Sequence, residues 1–424
     1  MSIEQLKADV IGAVEAMSAE LIDLSHLIHS EPELALEEVR ACANLVKAVE
    51  GHDITVQREA FGLSTAYAAE FGKDGAPTIA ILSEYDALPG IGHACGHNII
   101  ATAGLGAALA LSKLNGRLPG RVRYLGTPAE ERFGGKEIMA RNGAFDGADA
   151  AMMIHPAAID LIAMPCLAVT EVNVTYTGQT AHASAEPHRG VNALDAVVTA
   201  YQAIAQLRQH IESRERIHGI ITDGGLAANI VPERAACRFY VRSPDAKGLA
   251  ALRRRVQACF EAGALATGCQ LEAVWGETDY LDLKTNGPMA RAFAANATAI
   301  GRPFDASDLV PRDRAGSTDM GNVSHRTPSI HPLLAVAPAH VPIHNPQFTR
   351  WAASDRGDKA VIDGAKALAL TALDLMSDAS LLAAARADFA VTAEDSRQAL
   401  EAMMESAPTA RHAAHHAHGG CGCA

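Results

Sequence analysis

The sequence predicts an α/β fold with an inserted α+β domain, and three observations support this prediction. Short apolar segments that indicate buried strands alternate with helical segments over the first 155 residues. Three of these strands are each followed by residues that can bind a metal ion. From about residue 168, apolar and polar residues alternate, which is typical of half-exposed antiparallel strands.

The predicted elements of residues 168–286 follow the order β-α-β-β-α-β, which indicates a small ferredoxin-like α+β domain. We therefore expect a discontinuous main domain made of residues 1–167 and 287–378, interrupted by this insertion. Residues 379–424 form an alanine-rich helical segment and then a tail that contains His412, His415, His416, His418, Cys421 and Cys423. Such tracts can bind metal, although a glycine-rich terminus is unsuited to holding a precise site.

The first residues of the chain predict helices. Apolar residues at helical spacing indicate one amphipathic helix over residues 2–29, and Pro32 ends it. A second helix is predicted over residues 36–49. Strands are predicted over residues 54–58 and 64–71, around glycine-containing turns.

The central stretch joins an apolar strand, residues 78–82, to an apolar helix, residues 99–111. The glycine-rich loop between them contains Asp86, Cys95 and His97. In α/β proteins the loops at the carboxyl ends of strands are the usual place for a functional site. Taken alone, the Cys-Gly-His segment is equally compatible with a turn that holds a core cysteine and a surface histidine.

Two further strands also lead into possible ligands. The apolar segment 122–126 precedes Glu130 and Glu131, and the segment 151–154 precedes His155. Adjacent side chains of an extended chain point in opposite directions, so one carboxylate can bind a cation while its neighbour faces a substrate. The sequence alone does not decide which glutamate does which. The alternative is a solvated first turn of a helix, where glutamate is common.

The remaining elements belong to the insertion and to the return of the chain. In the insertion we predict strands over residues 168–177, 217–222, 235–242 and 270–275, and helices over residues 192–210 and 249–266. After it we predict helices over residues 289–300 and 358–376, with a strand around Ile330 between them. Closing helices extend to about Met404.

Composition excludes several classes of protein. The 424 residues carry a net charge of -13, which argues against a nucleic-acid surface. No stretch of eighteen apolar residues occurs, so no membrane span is expected. The first residues lack the pattern of a signal peptide. The eight cysteines are mostly scattered, which favours reduced thiols and a cytoplasmic location.

Several short motifs occur together in one chain: Tyr85-Asp86-Ala87-Leu88-Pro89, His93-Ala94-Cys95-Gly96-His97, Thr127-Pro128-Ala129-Glu130-Glu131, Ile154-His155-Pro156, His182 with Pro187 and Gly190, and His344. In this order they resemble the zinc aminoacylase/amidohydrolase family of co-catalytic metallopeptidases over about residues 10–378. The subgroup most similar to the chain contains p-aminobenzoyl-glutamate hydrolases and β-alanyl dipeptidase-like amidohydrolases. The indole-acetyl and hippurate branch has Asp where this chain has Asn98.

The resemblance implies a mixed-sheet catalytic domain with a dinuclear metal site, and an inserted lid or dimerisation domain. The implied metal ligands are Cys95, His97, Glu131, His155 and His344. They would hold two divalent ions, with zinc favoured by the thiolate and with manganese or cobalt as alternatives.

The resemblance also implies roles for residues that do not bind metal. Asp86 would orient a ligand imidazole, and Glu130 would be the general base for a metal-activated water. His182 would stabilise the oxyanion, reaching the site from the inserted domain of a partner subunit. The implied substrate contacts are Asn229, Ser317 and Thr318.

These residues indicate a metal-dependent amidohydrolase that cleaves an N-acyl amino acid, a dipeptide or a related small conjugate, and acts as a homodimer. The chemistry agrees, because two metals and a carboxylate supply what amide hydrolysis needs. The sequence lacks the G-x-S-x-G motif of many serine hydrolases. The alternatives are a catalytically silent homologue that binds metal or regulates, and a metal-buffering protein that uses the His/Cys tail.

Overall fold

The computed structural model describes residues 2–276, 278–304 and 316–406, so the His/Cys tail lies outside the described residues. The chain divides into two units. The first unit combines Met1–Cys166 with Leu283–Ser396. The second contains residues 167–282 and the described residues from Arg397 onwards.

The strands of the described residues are, in chain order, β1 Gln57–Arg58, β2 Tyr67–Gly72, β3 Thr78–Ser83, β4 Arg121–Gly126, β5 Ala150–Met152, β6 His155–Ala157, β7 Ala168–Thr177, β8 Arg216–Asp223, β9 Arg234–Ser243, β10 Gln270–Trp275, β11 Ser329–Ile330 and β12 Leu333–Ala335. The first unit holds a six-stranded sheet in the order β1-β2-β4-β3-β5-β11. Strands β4, β3, β5 and β11 run parallel to one another. Strand β2 runs antiparallel to both of its neighbours, β1 and β4. This mixed sheet confirms the predicted α/β class.

The helices are α1 Ile3–Ala16, α2 Ser18–Ser30, α3 Val39–Glu50, α4 His97–Ser112, α5 Gly135–Arg141, α6 Ala193–Leu207, α7 Ala246–Thr267, α8 Gly287–Ala299, α9 Met320–Ser324, α10 Pro346–Ala352, α11 Asp355–Ser377, α12 Ala379–Ala390 and α13 Ala393–Ser406. Helix α4 is buried along nearly its whole length, because its sequence is apolar on every side. Its small residues allow close approach: a methyl group added at Gly106 would lie 2.9 Å from Ala365 Cβ of α11.

The second unit is an antiparallel sheet in the order β10-β7-β9-β8, with helices α6 and α7 packed on one face. Side chains of β7 and β9 alternate between buried and more exposed positions, and the buried ones, such as Phe239, contact the helices. The connection order β-α-β-β-α-β and this strand order are those of a ferredoxin-like fold, as predicted. Strand β8 is an edge of this sheet and exposes Ile220 and Ile221.

Some predicted elements differ from the structure. The helix predicted over residues 2–29 is broken at Met17, which lies between α1 and α2 with ψ near 4°. The strand predicted over residues 54–58 is only two residues long, and the short elements β6 and α10 were not predicted. Elements this short carry too few residues for a periodic pattern to be detected.

In the described residues, a helix that is both long and apolar enough to cross a membrane does not occur on its own. Helices α11 and α12 meet that requirement only as a pair, and they are bent by 98° relative to each other.

We predict that Gly104→Ala destabilises the first unit. The added methyl group would lie 2.4 Å from Ser83 Oγ and 2.7 Å from the Leu82 carbonyl oxygen, and overpacking costs about 1–3 kcal/mol. The control is Gly12→Ala in α1, where nothing lies within 4 Å and alanine is favoured over glycine by about 0.5–1 kcal/mol. Urea unfolding measures both variants, and equal midpoints would contradict the packing described.

Candidate metal centre

The candidate site forms where parallel strands end at the same edge of the main sheet. Strand β3 lies between β4 and β5, and all three point the same way. Their carboxyl ends lead to Asp86, to Glu130 and Glu131, and to His155, respectively. Neighbouring strand ends thus bring together residues that are distant in sequence.

Among the described residues, four groups of three donors lie close enough to hold metal ions, and two of them contain Cys95. One is Cys95, His97 and His155, and the other is Cys95, Glu131 and His344; in each group the donor atoms lie within 4.8 Å of one another. Cys95 belongs to both groups. The structure therefore brings together all five residues that were predicted to bind metal, in an arrangement with one shared thiol.

Asp86 links two candidate metal ligands, a histidine and a glutamate. Its Oδ1 lies 2.9 Å from His97 Nδ1, and its Oδ2 accepts a hydrogen bond from the backbone N–H of Glu131 at 2.9 Å. A histidine that donates from Nδ1 to a carboxylate presents Nε2 to a metal. Although burial opposes it, Cys95 and the Asp86 carboxylate raise the pKa of His97 well above its usual value, so metal binding would have to displace a proton from His97.

His155 is oriented in the same way by a backbone carbonyl. Its Nδ1 donates to the Pro156 carbonyl oxygen at 2.7 Å, which turns Nε2 towards Cys95 Sγ at 3.3 Å. Burial, and then the neighbouring His97, lower the pKa of His155 to about 3. His155 is therefore neutral near neutral pH, as a metal ligand must be.

Unpaired buried atoms test whether this site fits metal ions. His97 Nε2 and Glu131 Oε1 are both buried and have no hydrogen-bond partner among the described residues. Buried polar atoms are nearly always paired, and leaving one unpaired costs about 1–3 kcal/mol. Thiol, imidazole and carboxylate donors around such atoms are those that zinc prefers. The residues present fit a pair of divalent metal ions.

A second set of charges lies next to Glu130. Glu84, Glu130 and Asp319 offer carboxylate oxygens within 4.8 Å of one another. The ammonium group of Lys136 binds both Glu84 and Asp319, at 2.8 Å from Asp319 Oδ1. Burial, followed by the charges of Glu84 and Glu131, raises the pKa of Glu130 well above its usual value. Glu130 is thus a carboxylate with enhanced proton affinity beside the donor groups.

Backbone conformation at two positions shapes the cluster. Gly96, between Cys95 and His97, has φ +76° and precedes α4, and a side chain there would lie 2.5 Å from Pro156 Cγ. Glycine is therefore required at this turn. His344 also has a positive φ, 60°, and its backbone N–H donates to the Ala94 carbonyl oxygen at 2.9 Å.

The remaining predicted site residues lie in other parts of the chain. His182 is exposed, and Asn229 is exposed on a neighbouring segment whose backbone carbonyl accepts from Ala183 N–H at 3.1 Å. Ser317 is partly buried. Thr318 is buried, and its hydroxyl oxygen accepts from the Met320 N–H at 3.1 Å at the start of α9. Their contacts with substrate stay predictions.

The sequence analysis did not identify several titratable residues near the site: Glu38, Glu84, Lys136, Asp319 and His331. His331 is buried, and its ring lies 5.4 Å from that of His155. Glu84 stands directly before the Tyr-Asp-Ala-Leu-Pro motif, and Asp319 lies in the Gly-Ser-Thr-Asp segment, so both were close to recognised signals. Lys136 carried no signal, because a lysine after a glycine pair is ordinarily solvated.

The fold and the site together define a hydrolase with a centre suited to two metal ions. The family of peptidase dimerisation domains matches residues 169–267. The chain is 38% identical to the Xaa-Arg dipeptidase of Mus musculus over 400 residues, which cover 91% of this chain and 93% of that protein. It is 29% identical to one of the subunits of the p-aminobenzoyl-glutamate hydrolase of Escherichia coli K12, over 90% and 94% of the two chains.

A solved structure shares the fold. The YXEP protein of Bacillus subtilis, described as a dinuclear metal-binding peptidase of the M20 family, superposes with a TM-score of 0.65 at 21% identity, covering 85% of this chain and 99% of that one. The chain belongs to the M20 peptidase family and is a hydrolytic enzyme that acts on amide bonds. This confirms the resemblance, the fold class and the activity that the sequence predicted.

We predict that Cys95→Ser weakens both metal positions at once, because Cys95 is the donor that the two groups share. His344→Ala should weaken one position only. The control is Cys166→Ser, which changes another buried cysteine that lies in neither group. Metal analysis after zinc loading and dialysis should give less than one ion per chain for Cys95→Ser and about two for the control. Two ions retained by Cys95→Ser would contradict the shared role.

Proposed function

We propose that this enzyme hydrolyses the amide bond of a small substrate, a dipeptide or an N-acyl amino acid, with Glu130 as the general base. The observation that carries the proposal is the pair of donor groups that share Cys95, with the Glu130 carboxylate beside them. The names of the relatives, which refer to a dipeptidase and to a p-aminobenzoyl-glutamate hydrolase, support this substrate class.

Zinc would fill the two metal positions, because the two groups that contain Cys95 offer one thiol and three imidazoles. Manganese and cobalt are the alternatives. Two bound divalent ions would polarise the scissile carbonyl and make a water molecule more acidic. The Cys95 thiol has a pKa raised by burial and by the Glu131 charge, so it must lose its proton when metal binds.

Glu130 would take the proton from the attacking water and pass it to the departing amine. Its Oε2 lies 4.0 Å from His97 Nε2, and Glu130 forms a further group of donors with His97 and Glu131, so its carboxylate lies next to the groups that contain Cys95. An efficient base has a pKa nearer to neutrality than that of a free glutamate. Burial and the nearby carboxylates of Glu84 and Glu131 act in that direction. Glu131 would instead bind metal, since its Oε2 lies 3.4 Å from His344 Nε2.

His182 would stabilise the oxyanion that forms on the substrate. Its Nδ1 accepts from the backbone N–H groups of Ser184 and Ala185, each at 3.3 Å. A neutral histidine that accepts at Nδ1 carries its hydrogen on Nε2, where it can donate. An exposed donor of this kind is what a developing oxyanion needs. Asn229, Ser317 and Thr318 would provide further substrate contacts.

The enzyme would work as a homodimer, with His182 supplied to the site of the partner subunit. The match of residues 169–267 to a peptidase dimerisation domain supports this. Strand β8 offers an unpaired edge with Ile220 63% exposed, and such edges readily pair with another chain. A cytoplasmic location would suit the enzyme, since its cysteines are mostly scattered along the chain, as is usual for reduced thiols.

We predict that Glu130→Gln retains both metal ions but loses turnover by about 10²–10⁴-fold, because glutamine cannot accept a proton at neutral pH. Glu131→Ala should lose metal and activity together. The assay is a hydrolysis screen of dipeptides and N-acyl amino acids after chelation and return of Zn²⁺, Mn²⁺ or Co²⁺, combined with metal analysis.

Two results of this screen would contradict the assignment. Loss of metal in Glu130→Gln but not in Glu131→Ala would reverse the roles of the two glutamates. Full activity of the wild type in excess chelator, with no metal bound, would exclude the mechanism altogether.

We predict that Ile220→Glu converts the dimer into monomers and reduces kcat, because the charge is placed on the β8 edge and His182 can no longer reach a partner. The control is Leu265→Glu on α7, a residue that is 88% exposed and lies away from that edge. Light scattering and activity are measured on both variants. An active monomer, whether wild type or Ile220→Glu, would rule out the role of His182 in the partner site.

A further inference from the structure

The loop that carries the proposed base has an unusual backbone conformation immediately before Glu130. Ala129 has φ +63°, in the left-handed region that residues other than glycine seldom adopt. Its carbonyl oxygen accepts from the Gly135 N–H at 3.1 Å, which folds the loop back on itself. Such a conformation persists only where surrounding contacts fix it. The direction in which Glu130 points depends on that conformation.

A buried carboxylate from another part of the first unit holds Ala129 in place. Glu38, at the start of α3, is 0% exposed, and its Oε1 accepts from the Ala129 N–H at 2.8 Å. Its Oε2 accepts from the Thr65 hydroxyl at 3.1 Å. Burial, followed by the charge of Asp86, raises the pKa of Glu38 to about 7, and Oε1 can accept this hydrogen bond whether or not Glu38 is ionised. Glu38 therefore restrains the amide that precedes the base.

Asp86 makes the corresponding contact on the other side of Glu130. Its Oδ2 accepts from the Glu131 N–H at 2.9 Å. The backbone amides before and after the base are thus each bound by a buried carboxylate from a different element. The two anchors are also connected, because the hydroxyl of Tyr85, next to Asp86, donates to the Thr65 carbonyl oxygen at 2.5 Å.

We propose that Glu38 is a positioning residue for hydrolysis, which fixes the left-handed turn at Ala129 and thereby aims the Glu130 carboxylate. The proposal rests on the proposed role of Glu130 as general base. Glu38 belongs to neither donor group, so its effect would be on the geometry of the base and not on metal binding. A displacement of about 1 Å at a reacting group can cost about 10²-fold in rate.

The test compares four variants. Glu38→Gln keeps an acceptor oxygen for Ala129 and an amide that can donate to the Thr65 hydroxyl. Glu38→Met has a similar length but no acceptor. Glu38→Asp keeps the charge but is one methylene shorter. Thr65→Val removes the second contact of Glu38 and leaves the Ala129 contact intact, so it is the matched control. Each variant is examined for kcat, KM, bound zinc and hydrogen exchange of the peptide that contains Ala129.

The expected result separates the acceptor role from general stability. Glu38→Met and Glu38→Asp should lower kcat by about 10–100-fold, with KM changed by less than about threefold and zinc content unchanged. Their Ala129 amide should exchange faster than in the wild type. Glu38→Gln and Thr65→Val should stay within about threefold of the wild-type kcat and keep the amide protected.

Several results would overturn the proposal. One is a folded, zinc-loaded Glu38→Met or Glu38→Asp with wild-type kcat; another is unchanged exchange at Ala129. Loss of zinc in parallel with kcat would assign Glu38 a structural role instead. If Glu38→Met does not fold, Glu38→Asp decides the matter alone. Failure of the wild type to hydrolyse any amide would remove the role of Glu130, whereas the exchange data would still report whether Glu38 fixes Ala129.

Discussion

The concentration of buried negative charge at one sheet edge is the constraint on which the rest of the site depends. Glu84, Asp86 and Asp319 are at most 1% exposed, and Glu130 is 7% exposed. Transferring an ionised carboxylate into a protein interior costs several kcal/mol unless it is paired. Lys136, itself 0% exposed, compensates two of these groups. The Glu131 carboxylate and the Cys95 thiol belong instead to a candidate metal group.

This division of charge explains why the edge contains two kinds of acidic residue. The pair Glu84 and Asp319 has a permanent internal cation, because the Lys136 ammonium lies between them. Although burial opposes it, these two charges raise the pKa of Lys136 and keep it protonated. The Glu131 carboxylate lies near the imidazoles of His97 and His344, and its Oε1 has no hydrogen-bond partner among the described residues. It is the acidic group whose compensation depends most on bound metal.

The sequence correctly predicted the structural features that are marked by patterns of neighbouring residues. The three strand ends, the glycine between Cys95 and His97, and the alternation of β7 and β9 all have signals within a few residues. The charges around Glu130 do not, because their partners are far apart: Lys136 meets Asp319 across 183 residues, and Glu38 meets Ala129 across 91. A buried lysine or glutamate has the same local pattern as a solvated one. Only the tertiary fold distinguishes them.

The anchoring of the base loop follows from a difference between ligands and bases. A bound cation would attract the candidate ligands such as Cys95 and His97, so coordination itself would correct small errors in their positions. In its proposed role as base, Glu130 would face a water molecule and exchange a proton with it instead of coordinating a metal ion. Its orientation has to come from the polypeptide. The hydrogen bonds from the flanking backbone amides to the Glu38 and Asp86 side chains would provide that orientation.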